Sequence, residues 1–473
     1  MPRPLPGKML NNLFRIRTVL SPSPALRRLA LIATACLGFG AQAADDRESL
    51  FGDDLPPIKN KADSQTESKA ESSGPGIRGF LQFELARTTA SPEHWSKMRT
   101  RADLSSQGRF SDSVKWKLGV RIDYDAVYDI NNFYPRAVQN DQRSSFDLRE
   151  NYLDVSAGGW DFRFGRQNVV WGEMVGLFFA DVVSARDLRE FILPDFDQMR
   201  TPQWAARAEY FGDDFHGELL WIPVATYDNI GKPGAAFFPH QPVPPGFTAR
   251  YLSEDRPTRN LDNMNYGLRL STLKNGWDIS GFYYRSTDVN ATFYRAPIIG
   301  PEITYQARHD RIHQTGATLT KDFGDVVLKA EGVYTKGRSF TLLNLTDPNG
   351  VAEQNTLDWA AGLDFTLTAD ARLNLQFFQR HFFNHHADLI SDRYENGYSI
   401  LLNSKLFSNW EAQALFIAST NRTDWLFRPR LTWNFERNWR WLIGADIFKG
   451  PELGMFGRYD NQDRVYSEIR YSF

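Results

Sequence analysis

The stretch VKWKLGVRIDYDA, residues 114–126, alternates between apolar and charged side chains. This alternation is typical of a β-strand, because successive side chains of an extended chain point to opposite faces. One face carries Val114, Trp116, Leu118, Val120, Ile122 and Tyr124. In a soluble sandwich this apolar face would line a core, whereas in a membrane barrel it would face lipid and the charges would face a lumen. The remaining strands distinguish the two architectures.

The same alternation recurs from Ile77 to the end of the chain and predicts about 18 strands, with a range of 16–18. The predicted strands cover 77–88, 97–110, 114–128, 145–157, 160–170, 203–211, 215–223, 264–272, 277–286, 309–321, 326–338, 356–368, 372–383, 393–405, 410–421, 424–435, 439–448 and 464–473. Within 145–157 the apolar parity changes between Phe146 and Leu153, so the register of that strand stays open.

The connections between these strands alternate in length. Short turns such as 111–113 and 212–214 follow the even-numbered strands, and mostly longer connections such as 224–263 follow the odd-numbered ones. Tryptophans, which favour the membrane–water boundary, lie near the short turns at Trp116, Trp160, Trp277, Trp410 and Trp439. The sequence therefore predicts an all-β fold, a transmembrane antiparallel up-and-down β-barrel with short periplasmic turns and long external loops.

The chain ends in RVYSEIRYSF, residues 464–473, with Ile469, Tyr471 and Phe473 on one face. This ending resembles that of Gram-negative outer-membrane β-barrels, in which the final strand ends in an aromatic residue. The resemblance implies an outer-membrane location, surrounded by outer-membrane lipid and lipopolysaccharide. It also implies that these three residues form the assembly signal read by the barrel-assembly machinery.

The segment before the strands predicts export. Residues 1–43 have the features of a signal peptide, with basic residues before an apolar stretch and Ala41-Gln42-Ala43 as the cleavage site. Cleavage would remove Cys36, the only cysteine, so we expect no disulfide; Ala33 disfavours acylation of Cys36 as a lipoprotein. We expect residues 44–76 to be a flexible periplasmic segment and 77–473 to be the barrel. Nothing in the charge balance suggests a nucleic-acid partner.

The third external connection, loop 171–202, is long and dense in charge. Ser184 as N-cap, Asp187 as its capping-box partner and Pro194 as a stop predict a short helix over 185–192. Such a mixed segment suits neither lipid nor open water, so we expect it to fold inward against the barrel wall. The predicted constriction and pore-lining residues are Asp181, Arg186, Asp187, Arg189, Glu190 and Asp195 in the loop, with Arg121, Asp123, Arg163, Arg207 and Arg269 on the wall.

This loop also carries two resemblances. Its position is similar to that of the third loop of general porins, which narrows the pore, although it carries no porin loop motif. The stretch from Arg163 to Trp204, extended to 224, resembles a family of uncharacterised proteobacterial outer-membrane proteins. Some members of that family are associated with export or lipid handling. The resemblance implies location and fold more than it implies a substrate.

Three functions remain open at this point. The leading prediction is a channel for diffusion of small solutes, constricted by loop 171–202. The second is an outer-membrane component of a lipid or hydrophobic-compound transport system with a periplasmic or inner-membrane partner, in which GLFFADVV (176–183) and the proline-rich segment 231–247 bind an apolar ligand. The third is a structural barrel with a closed lumen. We expect no catalysis, no cofactor and no metal, and we interpret His381, His385 and His386 as a solvated loop tip.

Overall fold

The computed structural model describes residues 76–174 and 179–473. The signal peptide, Cys36, nearly all of segment 44–76 and part of GLFFADVV lie outside the described residues. None of the described helices is both long enough and apolar enough to cross a membrane.

Within the described residues, eighteen antiparallel strands, β1–β18, form the wall in chain order. Their bounds are β1 Ile77–Thr88, β2 Trp95–Ser111, β3 Val114–Asp125, β4 Ser144–Leu148 continued by Asn151–Ala157, β5 Trp160–Gln167, β6 Gln203–Phe211, β7 Phe215–Val224, β8 Asn265–Lys274, β9 Trp277–Thr287, β10 Arg311–Asp322, β11 Val326–Thr341, β12 Val351–Thr368, β13 Ala371–Phe383, β14 Tyr394–Phe407, β15 Trp410–Ser419, β16 Trp425–Glu436, β17 Trp439–Lys449 and β18 Arg464–Ser472. The predicted strands are thus confirmed.

Pairing of the first strand with the last closes the barrel. Leu81 of β1 is opposite Tyr471 of β18, and the ladder continues to Thr88 opposite Arg464. Beyond it, the backbones of Gly79 and Phe473 exchange two hydrogen bonds of 2.9 Å. Each wall strand of the described part of the chain therefore has a neighbour on both sides, and the wall is closed.

The exposed and buried side chains of residues 114–126 show that this alternation belongs to a membrane barrel. Leu118 and Ile122 are 55% and 41% exposed on the outer face of β3, whereas Arg121 and Asp123 are buried. The apolar side chains therefore face lipid and the charges face the inside. In β4 the break at residues 149–150 lets Phe146 and Leu153 both point outward despite their opposite parity, because the pairing with β3 shifts by one residue across the break.

The external connections form an ordered cover over part of the mouth. They contain the short helices Val127–Ile130 and Arg136–Gln142 and the three-stranded sheet of Thr248–Tyr251, Glu302–Arg308 and Thr292–Arg295. The further short elements are Ala185–Arg186, Arg200–Thr201, the helix Phe196–Met199 and the 3₁₀ turns Leu261–Asn263 and Gly457–Gln462. The proline-rich segment packs here, since its Phe238 shares a buried cluster with helix and sheet residues.

The prediction of a helix over residues 185–192 is wrong. Residues Ala185–Arg186 are extended and pair with Arg200–Thr201. The Ser184 hydroxyl donates to the carbonyl of Val169 at 3.0 Å instead of capping a helix. The Leu188 amide is taken by the carbonyl of Asn229 at 2.8 Å, which lies in another external loop. Tertiary partners thus satisfy the backbone groups that a helix would have paired internally.

Candidate functional site

Loop 171–202 lies inside the barrel, and its first residue is an anchor. Trp171 is buried and packs against Phe282 and Tyr284 of β9, with ring centroids 5.2 and 5.7 Å away. Its indole Nε1 donates to Glu218 of β7 at 3.1 Å. The ring therefore has both an apolar contact and a polar partner, as a buried tryptophan requires.

Glu331 of β11 fixes the next part of the loop. Its two carboxylate oxygens accept the backbone N–H of Glu173 at 3.1 Å and that of Ala180 at 3.2 Å. Arg269 of β8, a predicted pore-lining residue, pairs with the Glu173 carboxylate at 3.3 Å. Both ends of segment 173–180 are thus bound to the wall by charge-assisted contacts.

The middle of the loop reaches a different part of the wall. The carboxylate of Glu190 contacts Lys97 and Arg99 of β2, with 2.6 Å to the Arg99 Nη1, and Arg464 of β18 at 3.4 Å. Burial alone would raise the pKa of Glu190, but these three cations hold it well below its usual range. Glu190 is therefore an anion at neutral pH, and three cations on the wall bind it.

A second set of arginines holds the loop carbonyls. Arg428 of β16 donates to the carbonyl of Leu193 at 2.5 Å. Asp446 of β17 is fully buried between Arg428 and Arg464, at 2.8 Å from each Nε. This shared carboxylate orients two arginines that both point into the loop. Arg430, also on β16, pairs with Asp195 of the loop at 2.9 Å.

The last part of the loop returns along β2–β4. Gln198 receives a hydrogen bond from Arg101 on its side chain and one from Arg121 on its carbonyl, both at 2.7 Å. Arg149, between the two halves of β4, donates to the carbonyls of Asp197 and Arg200. The loop is thus attached to strands on both sides of the barrel.

The predicted site residues divide into three groups. Glu190, Asp195, Arg121 and Arg269 join the loop to the wall, as described above. Asp181, Arg186, Asp187 and Arg189 bind mainly within the external loops: Asp181 pairs with Arg200, Asp187 pairs with Arg189, and the Arg186 amide donates to Asp228. Asp123, Arg163 and Arg207 pair along the wall with Arg101, Asp154 and Glu209. The predicted set therefore does not form one ring: part of it belongs to loop 171–202 or contacts it, and Arg163 and Arg207 pair with wall residues instead.

Sequence reasoning missed several residues that hold the loop. Lys97, Arg99, Arg428 and Arg464 were absent from the predicted set, although the alternation of their strands places them on the inner face. What the sequence could not show was which inward charge meets the loop, because the partners lie far apart in the chain. Arg464 and Glu190 are 274 positions apart.

A cavity of about 670 Å³ lies on the outer side of loop 171–202. The loop contributes residues between Phe179 and Ile192, and the external segments contribute Phe237 and the stretch 453–459. Its wall carries apolar side chains and several arginines. Parts of both stretches predicted to bind an apolar ligand, 176–183 and 231–247, thus line one cavity.

Two histidines of the RHFFNHHADL stretch pack against neighbouring groups. His381 stacks on Tyr394 with centroids 4.5 Å apart, and the His385 ring contacts the carbonyl of Ser391 at 2.7 Å. Over residues 76–174 and 179–473, no group of three potential ligand side chains is placed to hold a metal ion.

Comparison with known proteins identifies a family and a fold. The model of the family DUF1302, described as a protein of unknown function, matches residues 58–473. The chain belongs to this family. No curated protein matches. Among solved structures, OccAB1 of Acinetobacter baumannii is similar over 86% of this chain and 98% of its own, with 10% identity and a TM-score of 0.51.

Two further structures come from Pseudomonas aeruginosa. The outer membrane protein OpdK covers 85% of this chain and 98% of its own, with 8% identity and a TM-score of 0.49. OccK8 covers 84% and 98%, with 9% identity and the same score. Similarity at such low identity concerns the fold alone. The closed wall and its apolar outer face identify this chain as a transmembrane β-barrel, a fold that it shares with OccAB1.

Proposed function

We propose that this member of the DUF1302 family is an outer-membrane channel for small solutes and that loop 171–202 forms its constriction. The observation that carries the proposal is the attachment of this loop to opposite parts of the inner wall. Glu331 of β11 binds one end of the loop, and Arg99 of β2 and Arg428 of β16 bind the middle. A solute crossing the barrel would have to pass beside this loop.

The mechanism would be size exclusion combined with a local electric field. Most charges that face the loop are already paired, as Arg121 is with Asp103 at 2.6 Å and Arg428 is with Asp446 at 2.8 Å. Paired charges hold the loop in place and leave little net field along the path. We therefore expect the width left beside the loop, more than a single-sign ring of charge, to select solutes.

Single-channel conductance in a planar bilayer tests this proposal. The refolded protein is compared with a variant lacking residues 174–197 and with a control lacking residues 256–260, which belong to an exposed external stretch. Folding of each variant is checked first by its heat-dependent migration on electrophoresis. We expect the intact protein and the control to conduct equally and the loop deletion to conduct several-fold more.

Two outcomes would overturn the proposal. A folded loop deletion with unchanged conductance would show that loop 171–202 is not the constriction. Silence of all three folded proteins would show that the barrel is closed, as expected of a structural barrel.

A second candidate function is transport of apolar compounds, and the cavity beside the loop favours it. Such a transporter would need a periplasmic or inner-membrane partner at the short turns of the barrel. Crosslinking from cysteines placed in the turns at 212–214 and 322–325 tests for such a partner, with cysteines in the external stretch 256–260 as the control. Crosslinks confined to the periplasmic turns would support this function, and an equal pattern at both ends would exclude a specific partner.

A further inference from the structure

The cavity outside loop 171–202 is large enough for a small organic molecule. Its volume of about 670 Å³ lies in the range of about 300–1,000 Å³ common for ligand pockets. Loop residues such as Ile192 bound it on one side, and the external stretch 453–459 bounds it on the other. A solute entering from outside would meet this space before it reached the loop.

Much of the lining is apolar. Phe340 of β11, Phe378 of β13 and Ile417 of β15 contribute apolar side chains from the wall. Leu453 and Met455 also line the space, and they are 37% and 52% exposed. Burial of apolar surface contributes about 25 cal/mol per Å². An apolar molecule in the cavity would therefore be stabilised by covering these side chains.

Most arginines of the cavity already have an acidic partner. Arg338 pairs with Asp288, Arg380 with Asp358 and Arg422 with Glu395, each at 2.5 Å. The Asp424 carboxylate also lines the cavity, but it accepts three backbone N–H groups of residues 455–457 at 2.7–3.0 Å. The three arginine pairs therefore bring little uncompensated charge to a ligand, whereas Asp424 keeps its negative charge and directs its oxygens at the backbone of residues 455–457.

Arg458 differs from these arginines. Its Nε donates to the carbonyl of Gly454 at 2.9 Å, and its side chain contacts the Tyr459 hydroxyl, so both partners are neutral. Within the part of the chain that the structure describes, no carboxylate lies within 4.0 Å of Arg458. Burial and the Arg458 charge both lower the pKa of His240, a further lowering that requires Arg458 to lie near this side of the external loops.

We infer that this cavity binds an amphipathic acid, with the apolar body against Phe340, Ile417 and Leu453 and the anionic group on Arg458. A guanidinium binds a carboxylate or sulfonate through paired, charge-assisted hydrogen bonds. The inference rests on the proposed function, because the bound acid would be a solute on its way to the constriction. It narrows that function to small molecules with one apolar part and one negative charge.

Calorimetric titration with two matched compounds tests the inference. The probes are 6-phenylhexanoate and 6-phenylhexan-1-ol, which share one apolar body and differ in the charged group. The protein is in a mild detergent, and detergent without protein gives the blank. We expect the acid to bind at least several-fold more tightly than the alcohol.

Three variants locate the site. Arg458→Gln should weaken binding of the acid about tenfold, since a hydrogen bond to a charged group contributes about 1.5–3 kcal/mol and 1.4 kcal/mol is a factor of ten. The same variant should leave the alcohol unaffected. Leu453→Asp should weaken both probes. The control Arg250→Gln, on an exposed arginine outside the cavity, should change neither.

The outcomes separate this inference from the proposed function. Heats equal to the detergent blank, or a preference for the acid that survives Arg458→Gln, would overturn the inference. Because the titration measures equilibrium binding, it is independent of whether the barrel conducts. A silent channel that binds the acid would overturn only the proposed function, and an open channel without binding would overturn only this inference.

Discussion

Glu190 of loop 171–202 lies against Arg99 of β2, with 2.6 Å between Oε1 and Nη1. The same carboxylate binds Lys97 and Arg464, so one loop residue connects the loop to β2 and β18. Glu190 cannot leave this contact without carrying an unpaired charge in a mostly buried place, where an unpaired charge is costly. The position of the loop therefore depends strongly on Glu190.

We predict that Glu190→Gln loosens the loop. The variant removes the charge that links the loop to the wall, whereas Lys97 and Arg99 keep Glu84 and Arg464 keeps Asp446 as acidic partners. The loss therefore falls on the attachment of the loop more than on the wall. Hydrogen exchange should become markedly faster in residues 186–198, and the single-channel current should fluctuate more. Asp255→Asn, which removes an exposed partner of Arg308, serves as the control and should change neither. Unchanged exchange in the Glu190 variant would contradict the prediction.

We predict that Glu331 fixes the first part of loop 171–202, as Glu190 fixes its middle. Glu331→Ala removes the acceptor of two backbone N–H groups, and each unsatisfied buried group costs about 1–3 kcal/mol. A cysteine at Met174, which is 8% exposed, reports the change in a chain that begins at residue 44 and so lacks Cys36. We expect its thiol to be labelled faster when Glu331 is alanine.

The control for this experiment is Asp364→Ala. Asp364 is also a wall carboxylate, but it pairs with Lys329 of the neighbouring strand at 3.1 Å and not with the loop. Its loss should leave the labelling of residue 174 unchanged. Equal labelling rates in the Glu331 and Asp364 variants would refute a specific role of Glu331.

The contact between Asp228 and the backbone amide of Arg186 joins two external loops. Its contribution to the stability of the protein should depend on pH. Burial raises the pKa of Asp228 to about 6, even though Arg186 lowers it. The folded protein therefore holds this proton more tightly than the unfolded chain, so the contribution to stability is present below about pH 4 and is lost as the pH rises through about 6. Two pKa units correspond to about 3 kcal/mol.

Asp228→Asn tests this dependence, because asparagine keeps an acceptor for the Arg186 amide without titrating. Thermal unfolding is measured from pH 4 to pH 7 for the wild type and the variant. We expect the fall in stability across this range to be smaller in the variant. Parallel curves for the two proteins would rule out Asp228 as the titrating group.

The terminal residue should affect assembly. Phe473 exchanges two backbone hydrogen bonds with Gly79 where β1 meets β18. Deletion of Phe473 removes both bonds and the final aromatic ring, so we expect a clearly lower yield of heat-modifiable barrel in outer membranes. Phe473→Tyr keeps the backbone and the ring and should assemble normally. A deletion variant that assembles as well as the wild type would show that Ile469 and Tyr471 suffice.

The sequence alone determined where the strands lie and, except in strand 145–157, which face meets lipid. This was possible because alternation is a local property: each residue of a stretch such as 114–126 takes its side from its neighbour. Even the disturbed parity between Phe146 and Leu153 was visible, and the structure explains it by the break at 149–150.

Only the tertiary structure decided how loop 171–202 is held. The predicted helix over 185–192 failed because Asn229 takes a backbone donor that the helix needed and Arg200–Thr201 pairs with the segment as a strand. The anchors of the loop could not be selected from the many inward charges, because Glu190 and Arg464 meet only when the barrel closes. Local periodicity is enough to predict the strands of the barrel wall. Contacts between charges far apart in the chain form only in the closed barrel, so local periodicity does not predict them.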